Sequence, residues 1–244
     1  MNLDEYLKYL MSDEDVRNFF NDVEAEARRD IMKRFKDPEV VEDFERAVES
    51  PDWRLITVVD VALLLKKQDA WCKKCGECCR RNNPILLKRS EVAVIAKHLG
   101  SSYKKLKKRL KLVPARRQGY FYMPATPCPF LRGNRCSIYA VRPEVCRLFP
   151  AGKIIYDMKL IDEGRKLFIN FFPTYCNAFK EMFVIKLKAL TFQYYIKRKR
   201  PELLAFLDAL AKQRIAENAG RRKTFLEILR EEMDFLDLLE ASTL

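Results

Sequence analysis

Eight cysteines fall between positions 72 and 176, and none lies in the first 71 or the last 68 residues of this 244-residue chain. Four of them occupy eight consecutive positions, Cys72-Lys73-Lys74-Cys75-Gly76-Glu77-Cys78-Cys79. A secreted disulfide scaffold is usually short and cysteine-rich throughout. Here the thiols are confined to the middle of a long chain, so they read as metal ligands or redox centres in a reducing compartment. The N-terminus, MNLDEYLKYL, is acidic and lacks the basic start and apolar stretch of a secretory signal. The aliphatic run Val61 to Leu65 is far short of the roughly 20 residues that cross a bilayer. A cytoplasmic protein with no membrane partner is the expectation.

The spacing narrows the chemistry. Two cysteines separated by two residues turn both sulfurs toward one metal, and the glycine after the second permits the tight turn. Cys72-x2-Cys75-Gly76 is shared by zinc knuckles and iron sites. Adding Cys78 gives the C-x2-C-x2-C spacing of iron–sulfur ligation. Cys79 follows directly, and adjacent side chains of an extended backbone point to opposite sides. Cys78 and Cys79 therefore serve two sites, or one ligates while the other stays free. The rest of the set is Cys128-Pro129-Phe130-Leu131, then Cys136-Ser137-Ile138-Tyr139-Ala140-Val141-Arg142-Pro143-Glu144-Val145-Cys146-Arg147-Leu148-Phe149-Pro150, and finally Cys176. Thiolates are soft anions that suit zinc, iron and iron–sulfur clusters. Eight of them make two four-cysteine sites, or one cluster plus free thiols. His98, the only histidine, lies in the last turn of an expected helix, where a cation is favoured, and reads as a helix-end residue.

Taken together, CKKCGECC, CPFL and CSIYAVRPEVCRLFP resemble the CxxCxxCC cysteine-cluster family, described as a zinc- or iron-chelating domain and related to the flagellin lysine N-methylase. The resemblance spans about residues 72–176. It implies metal ligands at Cys72, Cys75, Cys78, Cys79, Cys128, Cys136 and Cys146. It also implies a late cysteine at Cys176, although Asn177-Ala178 follows where relatives often have Pro-Gly. An iron–sulfur cluster, of the 4Fe-4S type, is favoured over zinc. Arg142 and Arg147, with Tyr139, are candidates for offsetting thiolate charge or binding a substrate anion. The methylase relation makes a protein lysine N-methyltransferase an alternative, with S-adenosylmethionine as its donor and a protein as its substrate. No glycine-rich nucleotide loop, radical-enzyme C-x3-C-x2-C spacing or Ser/His/Asp set accompanies it.

Charge divides the chain. Residues 1–60 hold 9 basic and 17 acidic residues, whereas the remainder holds 38 and 17. Within 66–117 there are 17 basic residues against 3 acidic ones. Such a stretch is a solvated helix face, or it attracts nucleic acid through residues 97–117, an acidic partner, or the chain's own N-terminal part. A third reading of the protein follows: a zinc-stapled module with a basic interaction surface.

The expected fold is α+β and mainly α, with a small irregular cysteine-rich core and short strands, flanked by N- and C-terminal helices. Three segments are expected: helices over 1–70, the cysteine domain over 71–179, and helices over 180–244. In the first, Val16, Phe19, Phe20, Val23, Ala27, Ile31 and Phe35 line one helical face, and Asp37-Pro38 separates it from the next helix. Pro51 opens another helix with Trp53, Ile56, Val59, Leu63 and Leu64 inward. Strands are expected at Pro84–Leu87, Gly119–Tyr122 and Lys153–Tyr156, a helix at Glu91–Leu99 capped by Ser90, and a turn at Gly133-Asn134. Helices are expected after Cys176, from Pro201, and over Arg221–Leu239.

Overall fold

A computed structural model describes residues 3–81, 84–124, 126–161, 166–169, 171–203, 205, 209, 212–213, 227–228 and 230–234. Up to the first cysteine the elements are α1 (Leu3–Ser12), α2 (Glu14–Arg34), α3 (Val40–Glu49), β1 (Ile56–Thr57) and α4 (Val58–Trp71). Then come α5 (Glu77–Arg81), β2 (Ile85–Lys88), α6 (Arg89–His98), α7 (Tyr103–Arg109), β3 (Val113–Pro114) and β4 (Tyr120–Met123). The hairpin β5 (Leu131–Arg132) and β6 (Arg135–Cys136) leads to α8 (Glu144–Arg147) and α9 (Ala151–Asp157). β7 (Met158–Ile161), β8 (Lys166–Ile169) and α10 (Asn177–Lys199) close the series. The fold is mainly helical with short antiparallel strands, as the sequence predicts. Among the described residues no helix is long and apolar enough to cross a membrane.

Two compact units form. The first comprises Met1–Lys66, Met158–Thr174 and Phe179–Leu244. Its α2 starts where Asp13 accepts a hydrogen bond from the Val16 amide, satisfying a donor that the first turn leaves free. The face expected from periodicity is the buried one: Val16, Phe19, Phe20, Val23, Ala27 and Ile31. Phe19 and Phe20 pack edge-on against Phe183 of α10 at 5.7 and 5.4 Å, and Phe20 meets Trp53 at 5.2 Å. Each such ring contributes on the order of 1.5–3 kcal/mol by leaving water. The sheet β1–β8–β7 is antiparallel, with Ile56 opposite Leu167 and Leu167 opposite Leu160. Asp60 accepts from the Thr57 amide and hydroxyl at 2.8 Å each, and Lys186 of α10 reaches it at 2.5 Å.

The second unit comprises Lys67–Asp157 and Tyr175–Ala178. It contains all eight cysteines. Its sheet runs β2–β4–β3, antiparallel, with Ile85 opposite Met123 and Val113 opposite Tyr122. Alternation puts Ile85, Leu87, Phe121 and Met123 on the inner face. There they join Val92 and Ile95 of α6 and Leu106 of α7, with Phe130, Ile138 and Cys128 in the same core. The cysteine segments thus grow out of a small hydrophobic core.

Several local expectations are corrected. Lys153–Tyr156 is helical, within α9, because the amides of Lys153 and Ile154 bond back to the Pro150 carbonyl and Ala151 and Ile154 bury on one helical face. The cap of α6 is Lys88 rather than Ser90: its amide donates to Glu91 at 2.7 Å. Pro51 opens only a 3-10 turn, Pro51–Arg54, before β1, and Val59 of α4 is exposed. The helices expected from Pro201 and over Arg221–Leu239 lie largely outside the described residues.

Candidate metal centre

The last turn of α4 closes with the Cys72 amide donating to the Gln68 carbonyl at 2.9 Å. The chain then reverses through Lys74 (φ +54°) and Gly76 (φ +80°). A Cβ on Gly76 would lie 2.9 Å from both the Asn134 carbonyl oxygen and Leu131 Cδ1. That position therefore takes glycine on two counts, dihedral and space. It lets the Cys72–Gly76 knuckle press directly on the β5–β6 hairpin, which carries Cys136. Arg80 fastens the two together. Its guanidinium donates to the Cys75 carbonyl at 3.0 Å, to Glu77 at 2.7 Å, to the Gly133 carbonyl at 3.2 Å, and to the Asn134 side chain.

Directly after the knuckle, α5 begins. The Cys79 and Arg80 amides bond back to the Gly76 carbonyl, which sets Cys78 and Cys79 on one helical turn. On such a turn neighbouring side chains diverge by about 100°, not by the 180° of a strand. Both thiols consequently reach the same neighbourhood. The Cys128 amide donates to the Cys79 carbonyl at 2.8 Å, drawing the Cys128 segment alongside. The hairpin brings Cys136. The outcome is that the Cys79 sulfur lies within hydrogen-bonding reach of the sulfurs of Cys78, Cys128 and Cys136.

Proton affinities follow from this contact. The Cys79 thiol has one proton and three sulfurs in reach to accept it, so it is held far above the ordinary thiol range, with burial adding to the effect. The neighbours are pulled down. The Cys79 thiol and the amides of Cys79 and Cys78 bring Cys78 to about 7. The Cys79 thiol, the Ile138 amide and the Arg142 charge bring Cys136 to about 6. Cys128 is lowered by the Cys79 thiol and then by the Phe130 amide. Amide donors two residues beyond Cys128 and Cys136 thus face the charged form of each sulfur, which favours the thiolate. Cys146, on α8, is pushed up by burial and by the charge of Cys128, Cys78 and Cys136.

Cys72, Cys75 and Cys176 line one cleft, which Cys78, Cys79, Cys136 and Cys146 also border. The Asn177 side-chain amide donates to Cys75 Sγ at 3.7 Å. One wall is Tyr139, with Arg142 over its ring at 4.1 Å and Lys74 at 4.8 Å. Arg142 is paired with Asp69. The other wall stacks Tyr175 on Phe149, their planes 13° apart, with Arg81 at 5.1 Å from the Tyr175 ring. Burial raises Tyr175 to about 12.

Of the expected site residues, Arg142, Arg147 and Tyr139 border the cleft with seven of the cysteines, and Cys128 sits behind it in the core. His98 is exposed at the end of α6, away from the lining. Sequence reasoning missed Asp69, three residues before Cys72, and Asn177, directly after Cys176, whose polar side chains were the available signal. It also missed Arg80 as the fastener of knuckle and hairpin.

One thiol with three others in reach offers a soft divalent ion four sulfur donors from three segments. Among the described residues no three His, Cys, Asp or Glu side chains stand as a ready-made metal cage. In the metal-free state the Cys79 thiol keeps its proton, because its proton affinity is raised. Binding must release it, as it does for any thiol ligand.

Residues 71–177 match the model of the CxxCxxCC family, whose description reads "Putative zinc- or iron-chelating domain". Neither the curated proteins nor the solved structures yielded a match to this chain.

Proposed function

From the match of residues 71–177 to a chelating domain, we propose that this protein holds a single zinc or iron ion on Cys78, Cys79, Cys128 and Cys136. The observation that carries the reading is the reach of the Cys79 sulfur to the other three. Four thiolates at about 2.3 Å from one metal stand about 3.8 Å from each other, which is contact distance between sulfurs. A multi-iron cluster has its own sulfides between the ligands and holds them farther apart. The lowered Cys78 and Cys136 give up their protons more readily than ordinary thiols. A bound dication would ionise the rest. It would supply a fixed positive charge that closes the domain around its core. Arg142, whose charge already reaches Cys136, offsets the surplus negative charge of four thiolates.

An iron–sulfur cluster is the second reading. It is favoured by the four further thiols, Cys72, Cys75, Cys146 and Cys176, on the same cleft. The deciding experiment is metal and sulfide analysis with a visible spectrum, on protein purified without oxygen. One zinc or iron per chain without sulfide, lost in Cys79→Ser and Cys136→Ser but kept in Cys176→Ser, is the expected result. Iron with inorganic sulfide and a band near about 400 nm that bleaches on reduction would replace the single ion by a cluster.

A further inference from the structure

We propose that the second unit carries a binding surface for single-stranded nucleic acid, formed by the basic helix α7 and the solvent face of the β2–β4–β3 sheet. From Val92 to Pro143 the chain has twelve lysines and arginines and no aspartate or glutamate. α7 buries Leu106 and leaves Lys104, Lys105, Lys108 and Arg109 exposed. Lys111 follows in the left-handed conformation, also exposed. β3 then leads to a turn with Arg116 and Arg117 in solvent. Among the described residues none of these side chains forms an ion pair. Among the described residues no carboxylate offsets their charge, so it stands as a positive field over this face.

Charge alone fits any polyanion; the sheet selects among them. Phe121 and Met123 of β4 point into the core, so Tyr120 and Tyr122 point out. They are two residues apart, about 7 Å. Tyr122 is 38% exposed, and Val113 opposite it in register is 51% exposed. Arg117 lies over the Tyr120 ring at 4.5 Å, adding a guanidinium plane to the row. Solvent-facing aromatic rings beside cations are what unpaired bases stack on. A separation of about 7 Å is twice the rise of about 3.4 Å between stacked bases, so it fits an extended strand better than a duplex. An acidic peptide would use the lysines and leave the tyrosines idle.

The test is fluorescence anisotropy of a labelled oligouridylate with the full, metal-loaded chain across a salt series. A same-length RNA duplex and polyglutamate of equal charge serve as competitors. Circular dichroism and metal content verify that each variant folds. Affinity is expected to fall linearly with salt on logarithmic axes, with the slope reduced by about 0.7 for each phosphate contact removed. Lys104→Glu with Lys108→Glu should weaken binding at least about tenfold. Tyr122→Ala should weaken it at least about fivefold, the low end of one base stack, and leave the salt slope unchanged. Tyr122→Leu keeps the packing, removes the ring, and should show the same loss. The proposal is overturned if no salt-dependent binding occurs, or if the duplex binds as tightly. It is equally overturned if polyglutamate displaces the strand at equal charge while both Tyr122 variants bind normally, an outcome that would assign the surface to an acidic protein.

Discussion

The Cys79 proton illustrates how single residues set the state of this site. It is retained because three sulfurs lie in reach to accept it, and those sulfurs lose their own protons more easily for the same reason. The metal-free protein should show this in its stability. Cys78 and Cys136 titrate in the folded state at about 7 and about 6, below the ordinary thiol value of about 8.5. Their contribution is full above that ordinary value and is lost as pH falls through 7 and then 6. Cys79 and Cys146 are shifted the opposite way. Their contribution is full below the ordinary value and is lost as pH rises past it. The urea resistance of the apo second unit, followed by hydrogen exchange in β2 and β4, is therefore expected to climb from about pH 6 and to peak near about pH 8.5. A flat profile across that window would mean that the four thiols do not share protons.

At the scale of elements, the knuckle, α5 and the β5–β6 hairpin act as one piece because Arg80 ties them. Four hydrogen bonds from one guanidinium, three of them to groups outside α5, make it a clamp rather than a surface charge. Arg80→Ala is expected to destabilise the second unit by about 1.5–3 kcal/mol, the range for hydrogen bonds to a charged group. Metal release to a chelator should quicken in parallel, and unfolding in the first unit should not change. Glu77 alone cannot be the cause, so Glu77→Gln should have the smaller effect. Much of this level is legible in the sequence. The Gly133-Asn134 turn, the strand at Ile85–Leu87 and the buried face of α2 follow from turn chemistry and periodicity. The clamp is not legible, since Arg80 and Asn134 are 54 positions apart and nothing local marks them as partners. Nor is the grouping of the cysteines. Spacing pairs Cys72 with Cys75 and Cys78, whereas the fold joins Cys78 and Cys79 to Cys128 and Cys136, because α5 is helical where an extended run was the simpler assumption. Lys153–Tyr156 misleads for a related reason: its β-branched isoleucines favour a strand, and the turn after Pro150 commits them to a helix.

For the molecule as a whole, the two units draw their stability from different sources. The first has a continuous aromatic core around Phe19, Phe20, Trp53 and Phe183. The second has a smaller core and a cluster of thiols that, in the reading proposed above, a metal holds together. Stripping the metal with a strong chelator is expected to raise hydrogen exchange in α5, β5, β6 and α8 while β1, β7 and β8 keep their protection. Equal loss of protection in both units would show that the metal stabilises the entire chain instead.

The first unit is assembled from three stretches of sequence, and nearly all of the second lies between the first two of them. Seen from the ribosome, this arrangement fixes a timetable. β1 emerges early, yet its partner β8 is synthesised more than a hundred residues later, with Ile56 waiting for Leu167. The foursome Cys78, Cys79, Cys128 and Cys136 is complete well before that. On the reading proposed above, a nascent chain can capture its metal while the N-terminal helices are still without their sheet, and Cys176 joins only at the end, as the last thiol delivered to the cleft.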